Sequence, residues 1–246
     1  MGNSIGGFTV ASVAAALSLL KENGLSTVQC DGLVLMNSAG NIIKDSGLTD
    51  TPFENLFPVY KGPPSQTLRT FGVVMFSLLQ PRIEQMLVWL YPTNWSMVKL
   101  GLEGGILRDS QDPGASDVIA AGGKLPTPKP MNDLFREYKG PVLIAQGALD
   151  PLNDAPGRAQ SFGNIRQGVT VDLMPLGHCP MDENLKMVSG VHLFEWIRMK
   201  MKTEMDGKRR KKERKKRKNQ GTSSSISFFH YYFISLAFDS NHIYFR

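Results

Sequence analysis

Apolar residues in this chain gather in short, unbroken runs set off by turn residues. Gly32 to Asn37 (GLVLMN), Pro141 to Gln146 (PVLIAQ) and Val169 to Met174 (VTVDLM) each have the length of a strand. The first two lack polar alternation, which predicts strands buried on both faces of a parallel sheet. Around them the spacing is helical. Phe8 to Lys21 is rich in Ala and Leu and stops before Gly24, and Ala155 to Phe162 follows the second strand. Asn184 to Lys202 sets Leu185, Val188, Val191, Leu193, Phe194, Trp196 and Ile197 at helical intervals, predicting a last helix packed on the sheet.

Residues 41–139 follow another rhythm. Pro58, Pro63-Pro64, Pro81 and Pro92 separate helix-like pieces such as Thr67 to Gln80 and Ile83 to Leu90, and Ser116 to Ala121 is helical within a Gly, Pro and Ala-rich stretch. This predicts an inserted helical cap, with Phe71, Phe76, Trp89, Tyr91 and Trp95 read as core. The expected architecture is α/β: three parallel strands plus helices over 1–40 and 140–205, the cap over 41–139, and a tail over 206–246 with no folded role.

Charge separates that tail from the body. The formal net charge is +6, yet 208–218 (KRRKKERKKRK) carries +9 by itself. With Asp239 and Arg246 cancelling beyond it, residues 1–207 carry −3. The folded body therefore gives no electrostatic reason to expect nucleic acid, whereas 208–218 suits an anionic surface. Ile226 to Phe238, 13 residues, is too short to span a bilayer as a helix. Cys30 and Cys179 form neither a disulfide framework nor a metal set, so free thiols and no metal are expected. Phe8 to Leu20 is as apolar as a signal-peptide core but no basic residue precedes it. Met1-Gly2 begins a myristoylation pattern that Gly6 breaks.

Gly2-Asn3-Ser4-Ile5-Gly6 fits G-x-S-x-G and is followed by a helix. A turn from strand to helix sharp enough to project a serine leaves room for little but glycine on either side. It would aim the Ile5 N–H and the helix dipole at a developing oxyanion. Asp150 lies just past the second predicted strand and His178 just past the third. The order Ser, Asp, His, with each member at a strand's C-terminal end, is that of an α/β-hydrolase triad. Asp154 reads instead as a helix N-cap, and Asp182 and Glu183 as first-turn acids of the last helix.

GNSIGGF (2–8), PVLIAQGALDPLND (141–154) and GHCPMDE (177–183) resemble the α/β-hydrolase superfamily, in particular plant and cyanobacterial chloroplast-type, pheophytinase-like esterases. The resemblance spans 1 to about 200. It implies a serine nucleophile at Ser4, a general base at His178, an orienting acid at Asp150 and an oxyanion-hole donor at Ile5. It also implies a small-molecule ester substrate, no cofactor, and a chloroplast location by analogy, cytoplasmic otherwise. Aspartate-nucleophile relatives, which open epoxides or dehalogenate, are disfavoured by Ser4. The same resemblance places the strands preceding the elbow, and the loop giving a second oxyanion donor, before Met1. One lost donor costs about 3–4 kcal/mol of transition-state stabilisation. The chain thus reads as the C-terminal part of such an enzyme, its first strand having an open edge. Carbon–carbon bond hydrolysis on the same triad, and a non-catalytic binding or regulatory role, are the competing functions.

Overall fold

The structure, a computed structural model, describes residues 1–43, 62–122, 124 and 128–219. Ile226 to Phe238 and Pro58 lie outside them. The described core is a parallel sheet ordered β1-β2-β3-β4, with β1 Gly2–Asn3, β2 Leu33–Met36, β3 Val142–Gly147 and β4 Val169–Met174. Three strands were expected, and four are present among the described residues. The extra one, β1, pairs Gly2 with Leu35 and Asn3 with Met36, so the sheet edge lies on β1 and not on β2. β1 is too short to show any periodicity.

Parallel neighbours need helical crossovers, and α1 (Ser4–Glu22) and α8 (Ala155–Gly163) supply two of them. Alternate residues of the central strands face opposite layers. Leu33, Leu35, Val142 and Ile144 meet Ala11, Ala14 and Ala15 of α1, Phe162 of α8, and Met131, Leu134 and Phe135 of α7 (Met131–Glu137). Val34 and Leu143 meet Trp196, while Met36 and Ala145 meet Val188, in the layer on the other face. Alanines at i, i+3 and i+4 let α1 lie close to the sheet. Its opposite side stays open, with Val13 52% exposed. By length and hydropathy α1 could cross a membrane, but its alanine face belongs to the core.

The connection from β2 to β3 is largely helical among the described residues. It comprises α2 (Gln66–Leu79), α3 (Ile83–Leu90), α4 (Trp95–Met97), α5 (Glu103–Asp109) and α6 (Ala115–Gly122), then α7. α7 falls inside the span read as cap, yet it packs on α1 and the sheet, so the insertion proper ends before Met131. Ile83, Leu87, Tyr91 and Val98 form the insertion's own core. The aromatic residues there divide: Tyr91 is buried, but Phe71 and Trp89 are more than half exposed and are not core.

After β4 come α9 (Pro180–Glu183), a π-helical stretch over Met187–Leu193, and α10 (Phe194–Asn219). Residues 1–200 make one compact body and those from Met201 another. The change of composition at Asp206 does not end the helix, which continues to Asn219, because Lys, Arg and Glu are good helix formers. Of the tail expected to have no folded role, residues 206–219 are therefore helical.

Candidate active site

β1 ends at Asn3 and α1 begins at Ser4, with no loop residue between them. The chain makes this turn at Ser4 with φ +51°, a left-handed conformation costing a non-glycine residue about 1–2 kcal/mol. Ser4 O accepts from the Ala39 amide at 2.8 Å, which holds the turn against the exit of β2. Glycine is needed at Gly2, where a Cβ would stand 2.4 Å from Gly6 O, and at Gly7, where it would stand 2.6 Å from Ser38 Oγ. The second motif glycine, Gly6, has no atom within 4 Å of its own Cβ position. The expectation of a steric demand at Gly6 itself is therefore corrected. Ile5 sits in the first turn, where backbone N–H groups have no intrahelical acceptor.

His178 has farther to travel. Three strand spacings separate β1 from β4, about 14 Å, so the loop after Met174 must double back across β3 and β2. Over β3 it is held by Ala148 N–H to Met174 O (2.6 Å) and Leu149 N–H to Leu176 O (2.9 Å). It passes so close that a Cβ on Gly147 would lie 2.1 Å from Gly177 O. Over β2 it meets Asn37, 2% exposed, with φ +40°. Asn37 Nδ2 donates to Gly177 O and His178 O, each at 2.8 Å. Asn37 Oδ1 accepts from Gln146 Nε2 (2.6 Å) and Gly147 N (2.7 Å). One amide thus ties the tips of β2 and β3 to the histidine's main chain. At β1, the Asn3 amide satisfies its neighbours when its nitrogen donates to Met36 O (2.8 Å) and His178 O (3.2 Å). That orientation gives two carbonyls a donor, whereas the reverse would only set Nδ2 3.8 Å from Cys179 Sγ.

Asp150 follows β3 in a turn closed by its own N–H to Gly147 O at 3.2 Å. Its Oδ2 lies 3.0 Å from His178 Nδ1, with Asp150 and His178 4% and 7% exposed. Leu152 N–H donates to Oδ1 at 3.0 Å and Asn153 Nδ2 to Oδ2 at 3.2 Å. Burial pushes the Asp150 carboxyl up, but the bonds from His178 and Leu152, the imidazole's field and Asn153 outweigh it. The net shift is below the ordinary carboxylate value. An ionised carboxylate only accepts, so the ring nitrogen facing it, Nδ1, carries a proton, and in the neutral ring the lone pair a general base needs is on Nε2.

Ser4, Asp150 and His178 thus stand at the exits of β1, β3 and β4, with Asp150 and His178 in contact. Ser4 Oγ is not hydrogen-bonded to the imidazole among the described residues, although the residue before it, Asn3, contacts His178 O. Such a bond is often long without substrate and tightens in the complex. Asp154 caps α8 as expected, accepting from Gly157 N at 3.3 Å. Sequence reasoning took Asn37 only as a strand end; a polar residue closing an all-apolar run was the available signal. An open cavity of about 860 Å³ borders Asn153, Asp154 and Arg158, and no triad residue lines it. No group of His, Cys, Asp and Glu among the described residues could hold a metal.

No protein-family model and no curated protein matches this chain. Solved structures do. A thermophilic esterase from Thermogutta terrifontis is 15% identical over 81% of this chain and 64% of its own, with a TM-score of 0.47. The 2-hydroxy-6-oxo-6-phenylhexa-2,4-dienoate hydrolase of Rhodococcus sp. strain RHA1 is 15% identical over 80% and 62%, with a TM-score of 0.49. An α/β-hydrolase enzyme from a Medee basin deep-sea metagenome library is 16% identical over 75% and 59%, with a TM-score of 0.45. The chain spans less than two thirds of each of these proteins. At such identities and scores the chemistry rests on this chain's own residues. They place a serine held left-handed at a helix start and a buried, carboxylate-oriented imidazole on one edge of a parallel α/β sheet.

Proposed function

We propose that this chain is a serine hydrolase of the α/β-hydrolase superfamily that cleaves a carboxylic ester, with Ser4 as nucleophile, His178 as general base and Asp150 as its orienting acid. The observation that carries this reading is the His178–Asp150 pair, 3.0 Å apart and buried, on a doubled-back loop that meets Asn3, the residue before Ser4. A histidine filling core space needs neither the buried carboxylate nor the return across two strands.

In this reading His178 Nε2 takes the Ser4 Oγ proton as Oγ attacks the ester carbonyl. Asp150 holds the proton on Nδ1 and stabilises the imidazolium that results. The Ile5 N–H donates to the oxyanion, helped by the α1 dipole. Nε2–H then protonates the leaving alkoxide, and water, deprotonated by the same nitrogen, releases the acyl group. The apolar exposed residues of the insertion, such as Phe71, Val74 and Trp89, support an ester with an apolar portion and suit the pheophytinase-like kind.

A fluorophosphonate probe on the full chain tests the reading. Wild type labels covalently, Ser4→Ala does not label, and His178→Gln labels at least about 100-fold more slowly, the usual scale for a lost general base. A folded wild type that takes no label, or a Ser4→Ala variant that still does, overturns it.

A further inference from the structure

We propose that Glu183 is a positioning residue that couples the helical insertion to the general base, so that displacing the end of α3 displaces His178. The role of His178 rests on the function proposed above; the coupling of its main chain does not.

Glu183 is 7% exposed and uses both carboxylate oxygens. Oε1 accepts from the amide of Gly177, the residue before the histidine, at 2.7 Å. Oε2 accepts from the Thr93 amide at 3.0 Å and also from the Thr93 hydroxyl. Thr93 lies just past α3, in the insertion. One planar group thus joins a peptide of the core loop to a peptide of the insertion, and carboxylate is the side-chain group with two acceptor oxygens and no donor. Glu183 stands in the first turn of α9 and not of the last helix as expected, and its carboxylate oxygens are taken up by Gly177 and Thr93.

Three further bonds run along the same seam. The His178 amide donates to Leu90 O at 2.9 Å, Asn94 Nδ2 to Glu183 O at 3.0 Å, and the Tyr91 hydroxyl to Asp182 Oδ2 at 2.9 Å. Contact is tight, since a Cβ on Gly177 would stand 2.3 Å from Pro92 Cδ. His178 is therefore held by its carbonyl from the sheet, through Asn37 and Asn3, and by its N–H from the insertion, through Leu90. A ligand that shifts the end of α3 pulls on the second hold while the first stays fixed, and the imidazole turns against Asp150.

The test uses the full chain carrying Glu183→Gln, Thr93→Val or Asp182→Asn. Proton NMR reads solvent exchange of His178 Nδ1–H, which needs no catalysis; fluorophosphonate labelling against pH reads the base. Glu183→Gln sets an NH₂ against an N–H. It is expected to speed exchange and slow labelling by about tenfold or more, within the loss that an ångström of misplacement brings. Thr93→Val, one hydrogen bond short, moves both about threefold in the same direction. Asp182→Asn, which keeps an acceptor for Tyr91, stays near wild type. A structural role alone would lower the melting temperature and leave the exchange rate and the labelling pH midpoint in place, and that result in folded Glu183→Gln overturns the coupling. Should Glu183→Gln not fold, unchanged exchange in Thr93→Val overturns it equally. A wild type with protected Nδ1–H but no labelling refutes the hydrolase reading, while the exchange data still decide the coupling.

Discussion

Replacing Asn37 tests how the site is assembled. Asn37→Ala removes four hydrogen bonds in a buried place and leaves Gly147 N–H, the Gln146 amide and the carbonyls of Gly177 and His178 without that partner. A buried polar group without its partner costs about 1–3 kcal/mol; allowing for water entering the space, a loss of about 4 kcal/mol is expected. Alanine also tolerates φ +40° less well than asparagine. For a body of this size about 4 kcal/mol lowers the melting temperature by roughly 8–16 °C. Asn37→Asp separates the two halves of the contact. It keeps an acceptor for Gln146 and Gly147 but turns an oxygen toward two carbonyls. Burial and those carbonyls raise its folded pKa above the unfolded value of about 3.9. Its stability relative to wild type, measured by thermal circular dichroism, is therefore greatest below about pH 4 and falls as pH rises through the folded pKa. If both variants melt within about 3 °C of wild type at pH 7, roughly 1 kcal/mol, the amide does not locate the histidine loop.

Two further outcomes follow from the geometry. Gly7→Ala, which drives a Cβ to 2.6 Å from Ser38 Oγ and 3.1 Å from its Cα, should cost about 1–3 kcal/mol. Gly6→Ala, with open space around it, should be neutral or stabilise α1 by up to about 1 kcal/mol; urea melts giving the reverse order refute this account of the turn. Because the folded pKa of Asp150 is depressed, its contribution to stability is present above about pH 4 and is lost as pH falls through the folded value. Asp150→Asn should flatten the acid limb of unfolding measured from pH 6 to 2, and an unchanged limb would show that the carboxylate is not stabilised there.

Much of the frame was legible because it is local. Val169–Met174 and Ile83–Leu90 have the bounds their apolar spacing predicts, and Ser4, Asp150 and His178 stand on strand exits. What escaped is what depends on distance along the chain. β1 is two residues long and exists only through its partner β2. α7 carries Met131, Leu134 and Phe135 at helical spacing, but the Gly and Pro-rich stretch before it reads as insertion, and only packing on α1 assigns it to the core. Asn37 reaches its partners across 109 to 141 residues, and no window of sequence displays such a bond. Glu183 was noticed for a local reason, the helix dipole, while its partners set its role. Residue type and position at a strand end told what chemistry is available; the amides and carboxylate that aim it came only with the fold.

Among the described residues β1 has a neighbour on one side only, and the residue after it is Ser4. A strand laid along the free side would lie within two residues of the nucleophile and fix its backbone from both flanks. Backbone complementation of that edge by an added segment is thus a way to tune the serine without touching any side chain of the triad.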